Sequence, residues 1–183
     1  MSSTVLLFGL LPLLAFVIID SFAGVRAGVI AGVLFAVGEM VYSFSFYGHI
    51  DELTIGETAL ILFFGFLSYK SQKEIYFKLQ PVFLGTTFGL ILLVMQLLKK
   101  PLLVIVLEKY QYMIPEDIRS MMMNEEYLKM LASLSGVLGW GFLVHAALVC
   151  YAAFRMSKWW WLLIRGIGLY IMMAACAVIV RFL

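Results

Sequence analysis

The chain alternates long uncharged stretches with short charged ones. The clearest stretch runs over 79–98 without a formal charge, with Lys78 before it and Lys99-Lys100-Pro101 after it. Roughly twenty residues rising ~1.5 Å each cover ~30 Å, the hydrocarbon thickness of a bilayer. Pro81 falls in the first turn of this span, where a missing N–H costs little, and Pro101 stops the helix just beyond it. The same pattern predicts about six spans, at 3–19, 27–47, 53–69, 79–98, 131–154 and 159–180. Between the fourth and fifth lies 101–130, where an apolar run too short to span precedes Pro115-Glu116-Asp117. Proline followed by acids marks a helix start. Ile118, Met121, Met122, Leu128 and Leu131 then fall near one face, predicting one amphipathic helix on the membrane surface that leads into the fifth span.

Composition agrees with that pattern. Hydrophobic residues make up 64% of the 183-residue chain and charged residues 13%, about half the globular norm. The predicted fold is therefore an all-α integral membrane protein, a bundle forming one domain over 1–183. Its principal partner is the lipid bilayer. The +2 net charge is dispersed and suggests no nucleic acid. The sequence before the first apolar run holds no Lys or Arg, which argues against a cleaved signal peptide. Cys150 and Cys176 lie in apolar runs and should be free thiols, ~6 Å and ~26 Å from the same membrane face.

Two sets of small residues stand out. Gly24, Gly28 and Gly32, extended by Ala36, recur every fourth position entering the second span, and Gly85 and Gly89 form a G-x-x-x-G pair in the fourth. Such faces let helix backbones approach closely. The two faces could pack on each other within one chain, or form the seam of a homo-oligomer. Aromatic and basic anchors for the headgroup level are Lys78, Lys99, Lys100, Trp159, Trp160 and Trp161.

Ionisable residues inside a membrane are costly and default to a functional hypothesis. Measured from the side of the first-to-second connection, Glu39 lies ~18 Å deep, His145 ~13 Å, Thr86 and Thr87 ~11 Å, and Arg165 ~9 Å. They form a candidate polar cluster, with Glu39 as acceptor, His145 and Arg165 as donors and the threonines as lining. Three readings stay open: a hydrogen-bonded network that fixes packing, a site for a solute, lipid or proton, and residues that do not meet. No catalytic, metal or cofactor motif is evident. Ser135 and His145 share one helix ~14 Å apart, beyond nucleophile-to-base reach. No P-loop or dinucleotide fingerprint occurs. The residues predict a non-enzymatic protein without cofactor or metal.

The motif Phe77-Lys78, Pro81, the Gly-rich run, Gln96 and Lys99-Lys100-Pro101-Leu102 resembles the core of the intracellular septation protein A family. Leu11-Pro12-Leu13 is similar to that family's first helix, Trp140 to the start of its penultimate one, and Trp161, Arg165, Gly168 and Leu169 to its last. The resemblance implies a multi-pass protein of the bacterial inner membrane. It would serve envelope integrity and septation with other envelope or division membrane proteins. It also implies that both termini and the Lys-Lys-Pro turn face the cytoplasm, a choice the residues leave open because Lys and Arg divide evenly between the two sides. The alternative from the residues is a small-solute transporter or the substrate-binding subunit of a vitamin importer.

Overall fold

The computed structural model describes residues 11–48, 50 and 52–182. Regular structure among them is entirely helical. The α-helices are α1 (Leu11–Ala23), α2 (Val25–Tyr47), α3 (Glu52–Ser71), α4 (Ile75–Leu97), α5 (Leu102–Tyr110), α6 (Glu116–Met122), α7 (Glu125–Arg155) and α8 (Lys158–Ile179). Four of them are long and apolar enough to cross a membrane: α2, α4, α7 and α8. Pro12–Ala23 is a shorter apolar helix. The expected first span, 3–19, begins outside the described residues.

Three boundaries differ from the sequence expectation. The helix α4 starts at Ile75, so Pro81 sits in its interior and removes one rung of the backbone ladder. The fifth span is longer than expected, because α7 runs unbroken for 31 residues from Glu125. The single amphipathic helix expected before it is instead two helices, α6 and the start of α7. Asn124 makes the break: its side-chain oxygen accepts the Glu126 N–H at 2.6 Å, and Glu125 and Glu126 follow in the first turn. An Asn cap followed by acids starts a new helix more favourably than it continues an old one.

The Lys-Lys-Pro turn is also explicit. Lys100 N donates to Met95 O at 2.9 Å and Lys99 N to Gln96 O at 3.0 Å, with Lys99 at φ 56°. This is a Schellman closure of α4, after which Pro101 prevents the helix from resuming. The next helix, α5, takes its first donor's partner from another element: Leu103 N donates to Ser135 Oγ at 3.1 Å. Ser135 is fully buried and committed to that capping bond.

The chain divides into two compact units, each described by itself. One comprises residues up to Val82 with Val149–Gly166; the other comprises Phe83–Leu148 and the residues from Ile167 on. In the first unit, α1 packs along α2 and α2 along α3. Phe16 and Phe77 stack at 4.2 Å between centroids, in a core with Leu13, Val17, Ile61 and Trp161. In the second unit α4 lies against α7, and Phe88 approaches Phe142 at 6.3 Å.

The glycines show where backbones touch. A Cβ on Gly28 would stand 2.6 Å from Asp20 Cβ, and one on Gly32 would stand 3.0 Å from Pro12 O. A Cβ on Gly89 would lie 2.9 Å from Gly139 O, and Gly85 meets Ala146 at 3.3 Å. The α2 face therefore meets α1 in the first unit and the α4 face meets α7 in the second, each a close approach within one chain. Gly24 is not a contact residue: nothing lies within 4 Å of its missing Cβ, and its role is the φ of 83° that turns α1 into α2. Gly139 and Gly141 of α7, outside both predicted small faces, lie against Leu93 and against Met172 and Cys176. Cys150 and Cys176 are free thiols.

Gly28→Leu and Gly89→Leu should each lower the melting temperature of the purified protein. Gly38→Leu, where nothing lies within 4 Å, should not lower it. Equal melting temperatures for all three variants would show that these close approaches do not hold the helices.

Candidate functional site

The first unit carries a group of four charges drawn from three turns. Asp20 stands in the last turn of α1, Glu74 just before α4, Lys78 in the first turn of α4, and Lys158 at the start of α8. Lys158 Nζ lies 2.5 Å from Asp20 Oδ2 and 3.1 Å from Glu74 Oε2. Lys78 Nζ donates to the other Glu74 oxygen at 2.6 Å. The Asp20–Lys158 contact is an ion pair and not an aligned hydrogen bond. Asp20 and Lys78 are buried, at 4% and 1% exposure. Two carboxylates and two ammonium groups balance, so the quartet brings no net charge into the bundle. Burial pushes the Glu74 carboxyl up. The hydrogen bonds and positive charges of Lys78 and Lys158 outweigh that and hold it below its ordinary value of 4.5.

Each member of this quartet lies at or beside a junction between consecutive helices: Asp20 where α1 leads into α2, Glu74 and Lys78 where α3 leads into α4, and Lys158 where α7 leads into α8. A count of Lys and Arg alone leaves out Asp20 and Glu74, which stand beside those cations. Acids and lysines gathered at helix junctions are the signal in the sequence for this cluster. It also changes two anchor assignments. Lys78 is buried against Glu74, and Trp161 is fully buried in the core, so neither reaches the headgroups. Trp159 and Trp160 are 53% and 59% exposed, and Lys99 and Lys100 are exposed.

The five residues of the expected intramembrane cluster divide between the units. Glu39 and Arg165 belong to the first, Thr86, Thr87 and His145 to the second. Arg165 stands 3.7 Å from Glu57 Oε1 of α3, a residue outside the expected cluster. Glu39 and Thr86 are half-buried, Thr87 is exposed and His145 is buried. Neither Glu39 nor His145 is without a partner. Deeper in the first unit, Gln80 is fully buried with neither amide atom hydrogen-bonded, as is the Trp161 indole N–H. Among the described residues, no group of three His, Cys, Asp or Glu is placed to hold a metal ion.

A groove of about 280 Å³ runs between α2 and α3, lined by Val29, Val33 and Leu34 on one side and Leu62, Gly65 and Tyr69 on the other. Arg26 Cζ sits 5.4 Å over the Tyr69 ring at its end.

Stability should respond to acid through Glu74. Its carboxyl sits below the ordinary value in the folded state, so the stabilisation is complete above about pH 4.5 and is lost as pH falls through the folded value. A series of thermal melts from pH 7 to pH 3 should fall more steeply for the parent chain than for Glu74→Gln. Parallel curves would show that Glu74 carries no such linkage.

Comparison with curated proteins and with solved structures finds no match. The family model of intracellular septation protein A matches residues 5–183. That range includes every helix described above and all four charges of the quartet. The chain belongs to the intracellular septation protein A family.

Proposed function

We propose that this protein is a non-enzymatic scaffold or homeostasis factor of the bacterial inner membrane. It supports envelope integrity and septation by holding other membrane proteins of division or wall synthesis. The family membership supports the septation context. The observation that carries the scaffold reading is the use made of buried charge. Asp20, Glu74, Lys78 and Lys158 neutralise one another, and Arg165 stands by Glu57. Charges committed in this way rigidify a bundle and fix which turns meet. The large apolar side chains left exposed on α2 and α8, such as Phe35, Phe44, Ile167 and Ile171, suit lipid and neighbouring spans. In this reading α1 and α3 complete six crossings, and both termini and the Lys-Lys-Pro turn face the cytoplasm. Self-association through the remaining helix surface is compatible with it.

One observation favours a second reading, a small-solute transporter or the substrate-binding subunit of a vitamin importer. Buried polar atoms normally have partners, and the Gln80 amide and Trp161 N–H have none from the protein. A small polar guest beside them would supply those hydrogen bonds.

Photo-crosslinking from Phe35 and Ile171 in dividing cells separates the two. The scaffold reading expects capture of division or wall-synthesis membrane proteins, with Gln80→Leu still restoring normal septation in a depleted strain. Absence of such partners, together with loss of function in a folded Gln80→Leu variant, would favour the transporter.

A further inference from the structure

We propose that the groove between α2 and α3 seats one acyl chain of an anionic phospholipid, with Arg26 at its mouth taking the phosphate. The groove exists because residue 65 has no side chain. A Cβ there would already lie 3.3 Å from Val33 Cγ2 and 3.4 Å from Val29 Cγ1, so any larger residue would fill the trough. Its walls are hydrocarbon and aromatic, and its rim is open, with Leu34 64% and Leu62 45% exposed. From Arg26 to Leu34 is eight residues along α2, ~12 Å. That is close to the ~15 Å hydrocarbon depth of one leaflet. The length and lining fit an acyl chain lying along the helices and offer a polar solute nothing to hydrogen-bond.

The charge at the mouth selects the headgroup. Arg26 is exposed and lies over the Tyr69 ring, and among the described residues it has no carboxylate within 4 Å. Lys70, also exposed, follows Tyr69 in the last turn of α3. The nearby acids of the α1 and α4 turns, Asp20 and Glu74, are committed to Lys158 and Lys78. The uncommitted charge at the groove mouth is therefore positive. A guanidinium stacked on an aromatic ring keeps its N–H fork free to take two phosphate oxygens. A helix of a second copy would fill the groove without using that cation, which is why a lipid is the better fit.

Native mass spectrometry of the full chain in detergent, titrated with phosphatidylglycerol or phosphatidylethanolamine of the same acyl composition, tests this. The parent chain should retain phosphatidylglycerol about fivefold more strongly, the scale of one basic side chain at a membrane surface. Arg26→Gln should remove that preference and Arg26→Lys should keep part of it. Leu34→Trp, at an exposed rim position, should reduce retention of both lipids by blocking the trough. Unchanged thermal melts would establish that each variant is folded. Equal retention of the two lipids by the parent chain would overturn the proposal. So would unaltered retention in Leu34→Trp, or a parent-chain dimer that Leu34→Trp dissociates. These outcomes are independent of whether septation partners are captured.

Discussion

Four charges in the first unit determine which turns of the chain come together. Lys158 joins the carboxylate that ends α1 to the carboxylate that precedes α4, and Lys78 takes the remaining oxygen of Glu74. Asp20 and Lys78 are buried and would each be costly without a partner, while Glu74 and Lys158 keep part of their surface exposed. The quartet's net contribution to stability is modest because desolvation offsets attraction. Its contribution to specificity is larger, since any other pairing of turns would leave a charge unmatched beside hydrocarbon. Phe16–Phe77 stacking and the buried Trp161 lie in the same unit and depend on α1, α4 and α8 meeting in this register.

Away from the charges, the helices are held by closeness. Lipid is as apolar as a leucine surface, so burying leucine between spans gains little, and contacts without side chains gain more. Gly28 and Gly32 bring α2 onto α1, and Gly85 and Gly89 bring α4 onto α7, where Gly139 answers from the other side. The groove between α2 and α3 follows from the same principle at Gly65, where a missing side chain leaves space at the surface.

The sequence made the helices legible wherever hydrophobicity and charge agreed. The stretch before Lys99-Lys100-Pro101 and the close-packing glycines of the second and fourth apolar runs could be read directly. What escaped it depended on a short polar side chain or on pairing at a distance. Asn124 ended a helix that the methionine pattern carried through, because a single cap outweighs a weak amphipathic periodicity. Lys78 reads as a surface cation unless it is paired with Glu74, one turn earlier. Glu57 lies 3.7 Å from Arg165, many residues away in sequence, a pairing that no local pattern announces. Of the candidate site, the presence of buried charge was legible and its partners were not. Counting basic residues alone discards the acids that determine where those residues go.

The dependence of the bundle on the quartet can be measured by a double-mutant cycle on Asp20 and Lys158, read as unfolding in mixed detergent micelles. Removing the cation alone, in Lys158→Met, leaves Asp20 buried beside Glu74 and should cost about 3 kcal/mol. Neutralising Asp20 as well, in Asp20→Asn with Lys158→Met, should recover most of that loss. A double variant whose loss equals the sum of the two single losses would show that these charges do not act on each other, and that something else brings the three turns together.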